Sequence, residues 1–209
     1  MDVTQQRALL VKQSDKMALA LTDNQLDTLM AYLQLLVKWN KAYNLTAVKD
    51  PVEMVSRHLL DSLSLLSFIK GPRIIDVGSG AGLPGIPLAI CRPDIEVTTL
   101  DSNGKKTRFQ NQVKVELGLS NLTVINGRAE ACTDEPFDEV VSRAFASIAD
   151  MIKWTHQLCR QEGVFLAMKG LYPEDELAQL PSGFVLKNSH SLNVPGTQGA
   201  RHLMVIGRG

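Results

Sequence analysis

Apolar residues recur along the first third of the chain with the three-to-four-residue step of a helix, and afterwards in short runs separated by glycine and polar stretches. From Leu26 the positions Leu26, Leu29, Met30, Leu33, Leu36 and Val37 fall on one helical face, and Thr22 with Gln25 offers a capping box at its start. A further helix is expected from Asp50, a suitable cap, with Pro51 in its first turn and Glu53 close behind. Its inward residues are Val55, Leu59, Leu63 and Leu66, and Gly71-Pro72 ends it. Beyond residue 70 the period changes. Arg73–Val77 reads as a short strand running into a glycine cluster, and helical stretches at 85–92 and 104–118 alternate with strand candidates at 95–101, 121–126 and 138–143. A helix over 147–160, a strand over 163–168 and two late strands at 184–186 and 202–206 complete the pattern. Strand, helix, strand repetition predicts an α/β fold with a mostly parallel, doubly wound sheet at 70–209, and a helical extension over 1–69 packed directly on it.

Composition narrows the class. The 209 residues are 44% hydrophobic and 21% charged, the balance of an ordinary folded chain. No apolar run approaches the ~20 residues that span a bilayer and the start of the chain is polar, so a cytoplasmic location is expected. Cys91, Cys132 and Cys159 are odd in number and lack metal-ligand spacing, which reads as reduced, structural thiols and no metal. With 22 basic against 22 acidic residues there is no global attraction to a polyanion, so nucleic-acid binding would need a local patch.

The most informative stretch is Asp76-Val77-Gly78-Ser79-Gly80-Ala81-Gly82-Leu83-Pro84-Gly85. A strand that enters several glycines and then a helix brings backbone close to a ligand at the carboxyl end of a parallel sheet, where such folds hold nucleotide-like cofactors. Gly80, Gly82 and Gly85 formally satisfy the dinucleotide fingerprint, with Asp101 at about the ~20-residue spacing of a ribose-binding acid, so a nicotinamide-dependent oxidoreductase is one reading. S-adenosylmethionine is favoured instead, because Asp76 at the end of the first strand and Gly78 directly after it put a carboxylate where a pyrophosphate would be repelled and a cationic amino acid accepted. Asp101 would then accept from both ribose hydroxyls, cap the next helix, or do both. Residues 126–130 lie where methyltransferases of this architecture hold adenine, with the Ala129 or Glu130 N–H and the Glu130 carboxylate as partners.

Four segments carry a resemblance. Lys38-Trp39-Asn40-Lys41-Ala42-Tyr43-Asn44-Leu45-Thr46, Arg57-His58-Leu59-Leu60-Asp61-Ser62, the glycine loop, and Ser142-Arg143-Ala144-Phe145-Ala146 together resemble the bacterial small-subunit ribosomal RNA guanine-N7 methyltransferase family, RsmG or GidB. The resemblance implies a seven-stranded Rossmann-like methyltransferase sheet with an N-terminal helical extension, formation of 7-methylguanosine in 16S ribosomal RNA or a small-subunit particle, and cofactor contacts at Gly78, Leu83, Ala129, Glu130 and Arg143. A competing reading keeps the fold but makes the chain an inert RNA-binding or assembly module with a vestigial pocket.

Methylation at N7 attacks through a ring lone pair and removes no proton, so positioning matters more than a general base. The absence of an Asn/Asp-Pro-Pro-Tyr/Phe run after the fourth strand agrees with this. Arg143 is expected to reach the guanine O6 edge, an RNA phosphate or the cofactor carboxylate, or to be salt-bridged; Phe145 to stack on the base or join the core. Lys169 at the end of the fifth strand is a second candidate for phosphate contact. Lys38, Lys41, Arg57, Lys105, Lys106, Arg108 and Lys114 form an RNA track if they converge on the cofactor mouth. His58 and His202 read as structural or RNA-edge residues, and Trp39 with Tyr43, one turn apart, as packed.

Overall fold

The computed structural model describes residues 2–143 and 145–209; Met1 and Ala144 of the Ser142-to-Ala146 motif lie outside the described residues. Two capped helices open the chain. Helix α1 (Val3–Lys16) starts at Asp2, and α2 (Asp23–Tyr43) starts at the expected Thr22–Gln25 capping box. There the Gln25 N–H donates to Thr22 Oγ1 at 3.2 Å and the Thr22 N–H donates to Gln25 Oε1 at 2.9 Å. Leu26, Leu29, Met30, Leu33 and Leu36 are buried as the periodicity requires, and Tyr32 and Asn40 join them.

Helix α3 begins at Pro51–Met54 under its Asp50 cap, widens into a π-helical segment at Val55–Leu60 and closes at Asp61–Leu63. It stops well before Gly71-Pro72, the end expected from the sequence. Ser62 and Ser64 hydroxyls donate to the His58 and Asp61 carbonyls at 2.6 Å, competing for the acceptors that would continue the ladder. In this region His58, Asp61 and Ser62, three and four positions apart, are buried beside Leu59, Leu60 and Leu63.

Seven strands form one sheet, β1 (Arg73–Val77), β2 (Glu96–Asp101), β3 (Leu122–Asn126), β4 (Phe137–Ser142), β5 (Cys159–Lys169), β6 (Phe184–Ser191) and β7 (His202–Arg208), in the order β3-β2-β1-β4-β5-β7-β6. The first five are parallel, and β7 inserts antiparallel between β5 and β6. Helices α4 (Gly85–Cys91), α5 (Gly104–Leu117) and α6 (Ile148–Thr155) lie in the β1–β2, β2–β3 and β4–β5 connections, and a short α7 (Glu174–Ala178) comes after β5. The strand order reverses between β1 and β4, which opens a crevice at the carboxyl edge.

Further boundaries also differ from expectation. The helix predicted to run to residue 160 ends at Thr155, whose hydroxyl turns back onto the Met151 carbonyl at 2.6 Å, and β5 already pairs Cys159 with Phe137. Strand β6 extends to Ser191 because main-chain pairing with β7 needs no apolar pattern at a sheet edge none of whose residues is buried.

One apolar cluster joins Leu10, Leu29, Leu33 and Leu36 of the first helices to Ile74, Ile86, Val97 and Phe109 of the sheet and its crossovers. The opposite sheet face packs Ile75, Val140 and Phe165 against Ile148 and Met151 of α6. Among the described residues no helix is long and apolar enough to cross a membrane.

Candidate functional site

Strand β1 delivers Asp76 to the carboxyl edge at 1% exposure. Its Oδ2 accepts the Gly85 N–H at 2.8 Å, while Oδ1 is buried with no partner. Burial raises this carboxyl to about 7 against the opposing pull of the Gly85 N–H and the Arg143 charge. An orphaned carboxylate oxygen at a strand end is costly to fold and suits a positively charged or N–H-bearing ligand.

The loop above it turns through Gly78, Gly80 and Gly82, all at positive φ. At Gly82, with φ +87°, a Cβ would also run into the Ile86 side chain, and at Gly85 a Cβ would meet Asp76 Oδ2 at 3.0 Å. The loop is fastened on every side. Gly78 and Ser79 N–H groups donate to the Leu100 carbonyl, buried Tyr32 of α2 donates to the Ala81 carbonyl at 2.8 Å, and Gln110 of α5 donates to Ser79 Oγ and the Gly80 carbonyl at 2.9 and 2.7 Å.

Asp101 closes β2. Its Oδ2 accepts the Gly80 N–H at 2.8 Å, its Oδ1 accepts the Asn103 N–H at 2.8 Å, and Lys106 Nζ lies 3.9 Å away. Asn103, not Asp101, caps α5, so the capping alternative for Asp101 does not hold. An open cleft of about 410 Å³ runs from Val77 and Gly78 past Leu100, Asp101 and Ser102 to Gly127, Arg128, Ala129 and Glu130, with Phe145 and Trp154 as its other wall. A glycine mouth, an acid at the β2 end and a partly aromatic far wall are the features a nucleoside-bearing cofactor needs.

Arg143 leaves the end of β4 and turns to the helical extension. Its Nη1 donates to Asp61 Oδ2 at 2.9 Å, and Arg201, just ahead of β7, donates through Nε to Asp61 Oδ1 at 3.2 Å. Lys169 at the end of β5 pairs with Glu176 at 2.8 Å and donates to the Ala146 and Phe145 carbonyls at 3.1 and 3.4 Å. His58 is buried between Thr46 Oγ1 at 2.9 Å and the Arg57 carbonyl at 3.0 Å. Burial, then the Arg143 charge, lowers its pKa to about 4, so the ring is neutral, donating from Nδ1 to the carbonyl and accepting the Thr46 hydroxyl at Nε2.

Residues 25–204 match the family described as rRNA small subunit methyltransferase G. The chain belongs to that family. It is 58% identical over 194 residues to ribosomal RNA small subunit methyltransferase G of Pseudomonas syringae pv. syringae (strain B728a), covering 92% of this chain and 91% of that one. To the protein of the same name in Pseudomonas aeruginosa (strain LESB58) it is 55% identical over 209 residues, covering 99% and 98%. Among solved structures, the O-methyltransferase from Bacillus cereus in complex with SAH superposes with a TM-score of 0.62 at 18% identity, covering 99% of this chain and 100% of that one. TrmK of M. capricolum, in complex with S-adenosyl-homocysteine, gives 0.57 at 14% identity over 71% of this chain and 67% of that one. These two likenesses show the shared fold, and membership of the small subunit methyltransferase G family makes the chain a methyltransferase.

Within this family member the sequence-named residues separate into three groups. Gly78, Asp101, Ala129 and Glu130 line the cleft; Asp76, Gly80, Gly82 and Leu83 belong to the strand end and loop that continue from Gly78 without lining it; Arg143 and Lys169 are engaged in ion pairs. Phe145 faces the cleft, while Trp39 packs on Tyr43 at 5.2 Å and on Phe109 at 5.6 Å. That last contact sets α2 beside α5, and Lys38 and Lys41 on the one and Lys105 and Arg108 on the other are exposed. Sequence reasoning misses Trp154, Ser102 and Leu100 as cleft residues, and Asp61 with Arg201 as a joint ion-pair centre. Asp61 had a signal, an acid inside an otherwise apolar helical face, whereas Trp154 on an amphipathic helix carried none.

Proposed function

We propose that this chain transfers a methyl group from S-adenosylmethionine to N7 of a guanine in 16S ribosomal RNA, as naked RNA or in a small-subunit particle, in the cytoplasm. The observation that carries the cofactor assignment is the buried, half-satisfied Asp76 carboxylate beneath a left-handed glycine loop. A pyrophosphate would meet that carboxylate with repulsion, which counts against a nicotinamide dinucleotide. The fold neighbours described as holding S-adenosylhomocysteine support the same reading. Residues 70–209 form the cofactor-binding domain, and 1–69 an extension that braces the loop through Tyr32.

When bound, S-adenosylmethionine supplies an electrophilic methyl that the guanine N7 lone pair takes as the carbon–sulfur bond pair returns to sulfur. Asp76 and the Gly78, Gly80, Gly82 and Leu83 loop would hold its amino-acid end, Asp101 its ribose, and Ala129 with Glu130 its adenine. N7 releases no proton, so no base is required. The surrounding residues are consistent with this: His58 has both ring nitrogens engaged, and Arg143 and Lys169 are ion-paired with Asp61 and Glu176. Arg143 and Lys169 act as positioning groups, Lys169 by fixing the Phe145–Ala146 backbone at the cleft wall. Incubation with labelled methyl donor and small-subunit RNA or particles from a strain lacking the enzyme should yield 7-methylguanosine after digestion. Labelled cofactor binding without that product on either substrate rejects the proposal and favours the inert module.

A further inference from the structure

A second cavity, of about 370 Å³, opens between the π-helical segment and the loop that leads into β7, lined by Glu53, Arg57, Gly196, Thr197, Gln198 and Arg201. The cofactor cleft shares none of these residues. The loop is clamped onto the helix: Gly196 has φ +79°, and any Cβ there would collide with the Ser56 hydroxyl. Thr197 Oγ1 holds the turn by donating to the Val194 carbonyl at 2.8 Å.

Its charges are arranged unequally. Arg201 is pinned at Nε by Asp61 and at Nη1 by the Ala200 carbonyl at 2.8 Å, and its Nη2 has no partner among the described residues. Arg57 is exposed and, among the described residues, its side chain pairs with Glu53 alone, at 3.4 Å with both side chains more than half exposed, a pairing that solvent readily replaces. Asp61, by contrast, is buried and shared between Arg201 and Arg143. The charged residues that line the cavity, Arg57 and Arg201 against Glu53, leave one net positive charge. Planar guanidiniums with free N–H edges, beside the Thr197 and Gln198 side chains, match the oxygens of a phosphodiester.

We propose that this cavity is a phosphodiester subsite for the RNA strand, with Arg57 and Arg201 as its cations, and that Asp61 is the positioning residue that ties it to Arg143 at the end of β4. The inference rests on the RNA-methyltransferase reading above and adds where the strand is gripped. Asp61 fixes both guanidiniums in one geometry, so a strand seated on Arg201 is placed relative to the end of β4 beside the cofactor cleft.

The test measures RNA binding by the full-length protein over a salt series, cofactor binding by calorimetry, and methyl transfer at saturating RNA. Arg57→Gln should weaken RNA binding several-fold and reduce the slope of log K against log salt by about 0.7–0.9, the loss of one phosphate contact, with cofactor affinity unchanged. Lys187→Gln on the far edge strand should leave the slope intact. Asp61→Asn should keep RNA affinity within about twofold, since it removes a negative charge, yet slow methyl transfer at saturation by at least about tenfold through lost alignment. An Arg57→Gln slope equal to that of the unaltered protein overturns the subsite, and equal losses of affinity and rate in Asp61→Asn overturn the positioning role. If Asp61→Asn does not fold, the Arg57 slope decides alone. Failure of the unaltered protein to methylate any small-subunit RNA would instead strike the proposed function, which these binding slopes do not measure.

Discussion

Asp76 combines two demands in one side chain, since the carboxylate suited to a cationic ligand must be desolvated before that ligand arrives. Its folded pKa near 7 lies above the ~3.9 of an unfolded chain, so its ionisation opposes folding. The opposition is absent below about pH 4, grows as pH rises, and is complete above about 7, reaching at most about 4 kcal/mol. Asp76→Asn removes this dependence. Its melting temperature relative to the unaltered protein should therefore be more favourable at pH 8 than at pH 4.5, whatever constant cost the buried amide adds at both. Cofactor binding should fall at least tenfold at pH 8 in the same variant, and binding by the unaltered protein should tighten from pH 6 to 8. A pH-independent difference in melting temperature would contradict the raised pKa.

At the scale of the element, the β1–α4 loop is held by groups from three directions: Tyr32 from α2, Gln110 from α5 and Asp101 from β2. Protein hydrogen bonds hold its conformation, which lowers the ordering cost of binding a ligand. Gly82→Ala tests this. Its φ of +87° costs an L-residue about 1–2 kcal/mol, and the collision with Ile86 adds to it. We expect a lower melting temperature and at least a tenfold loss of cofactor affinity, measured by thermal denaturation and calorimetry. The π-helical segment of α3 shows the other side of element-level control. It carries His58 and leads directly into Asp61, and the two polar residues, three positions apart on the helix, are both buried among Leu59, Leu60 and Leu63.

Over the whole molecule the helical extension and the sheet cannot be separated energetically. Leu29, Tyr32, Leu33 and Leu36 are fully buried, and their cluster continues into Ile86, Val97 and Phe109. Each such side chain contributes roughly 1.5–3 kcal/mol on burial, so losing several exceeds the 5–15 kcal/mol by which a typical domain is stable. A fragment lacking residues 1–44 should therefore fail to give a cooperative melting transition, and a fragment that melts cooperatively near the full-length temperature would refute this dependence. The same extension that stabilises the sheet also places Asp61 against Arg143 and Arg201.

Local rules determined much of this molecule from the sequence alone. The α2 capping box, the apolar face of α2, the five parallel strands and the acid-glycine loop were legible because each depends on residues a few positions apart. The ends of α3, α6 and β6 were not, because side-chain hydroxyls and cross-strand pairing override the apolar pattern there. Tertiary structure alone decided the partners: Asn103 caps α5 while Asp101 holds Gly80, Lys169 joins Glu176, and Trp154 reaches the cleft. The largest such step is Asp61, which lies 82 residues from Arg143 and 140 from Arg201. Charge pairing depends on distance in space, and only the folded sheet with its packed extension sets that distance.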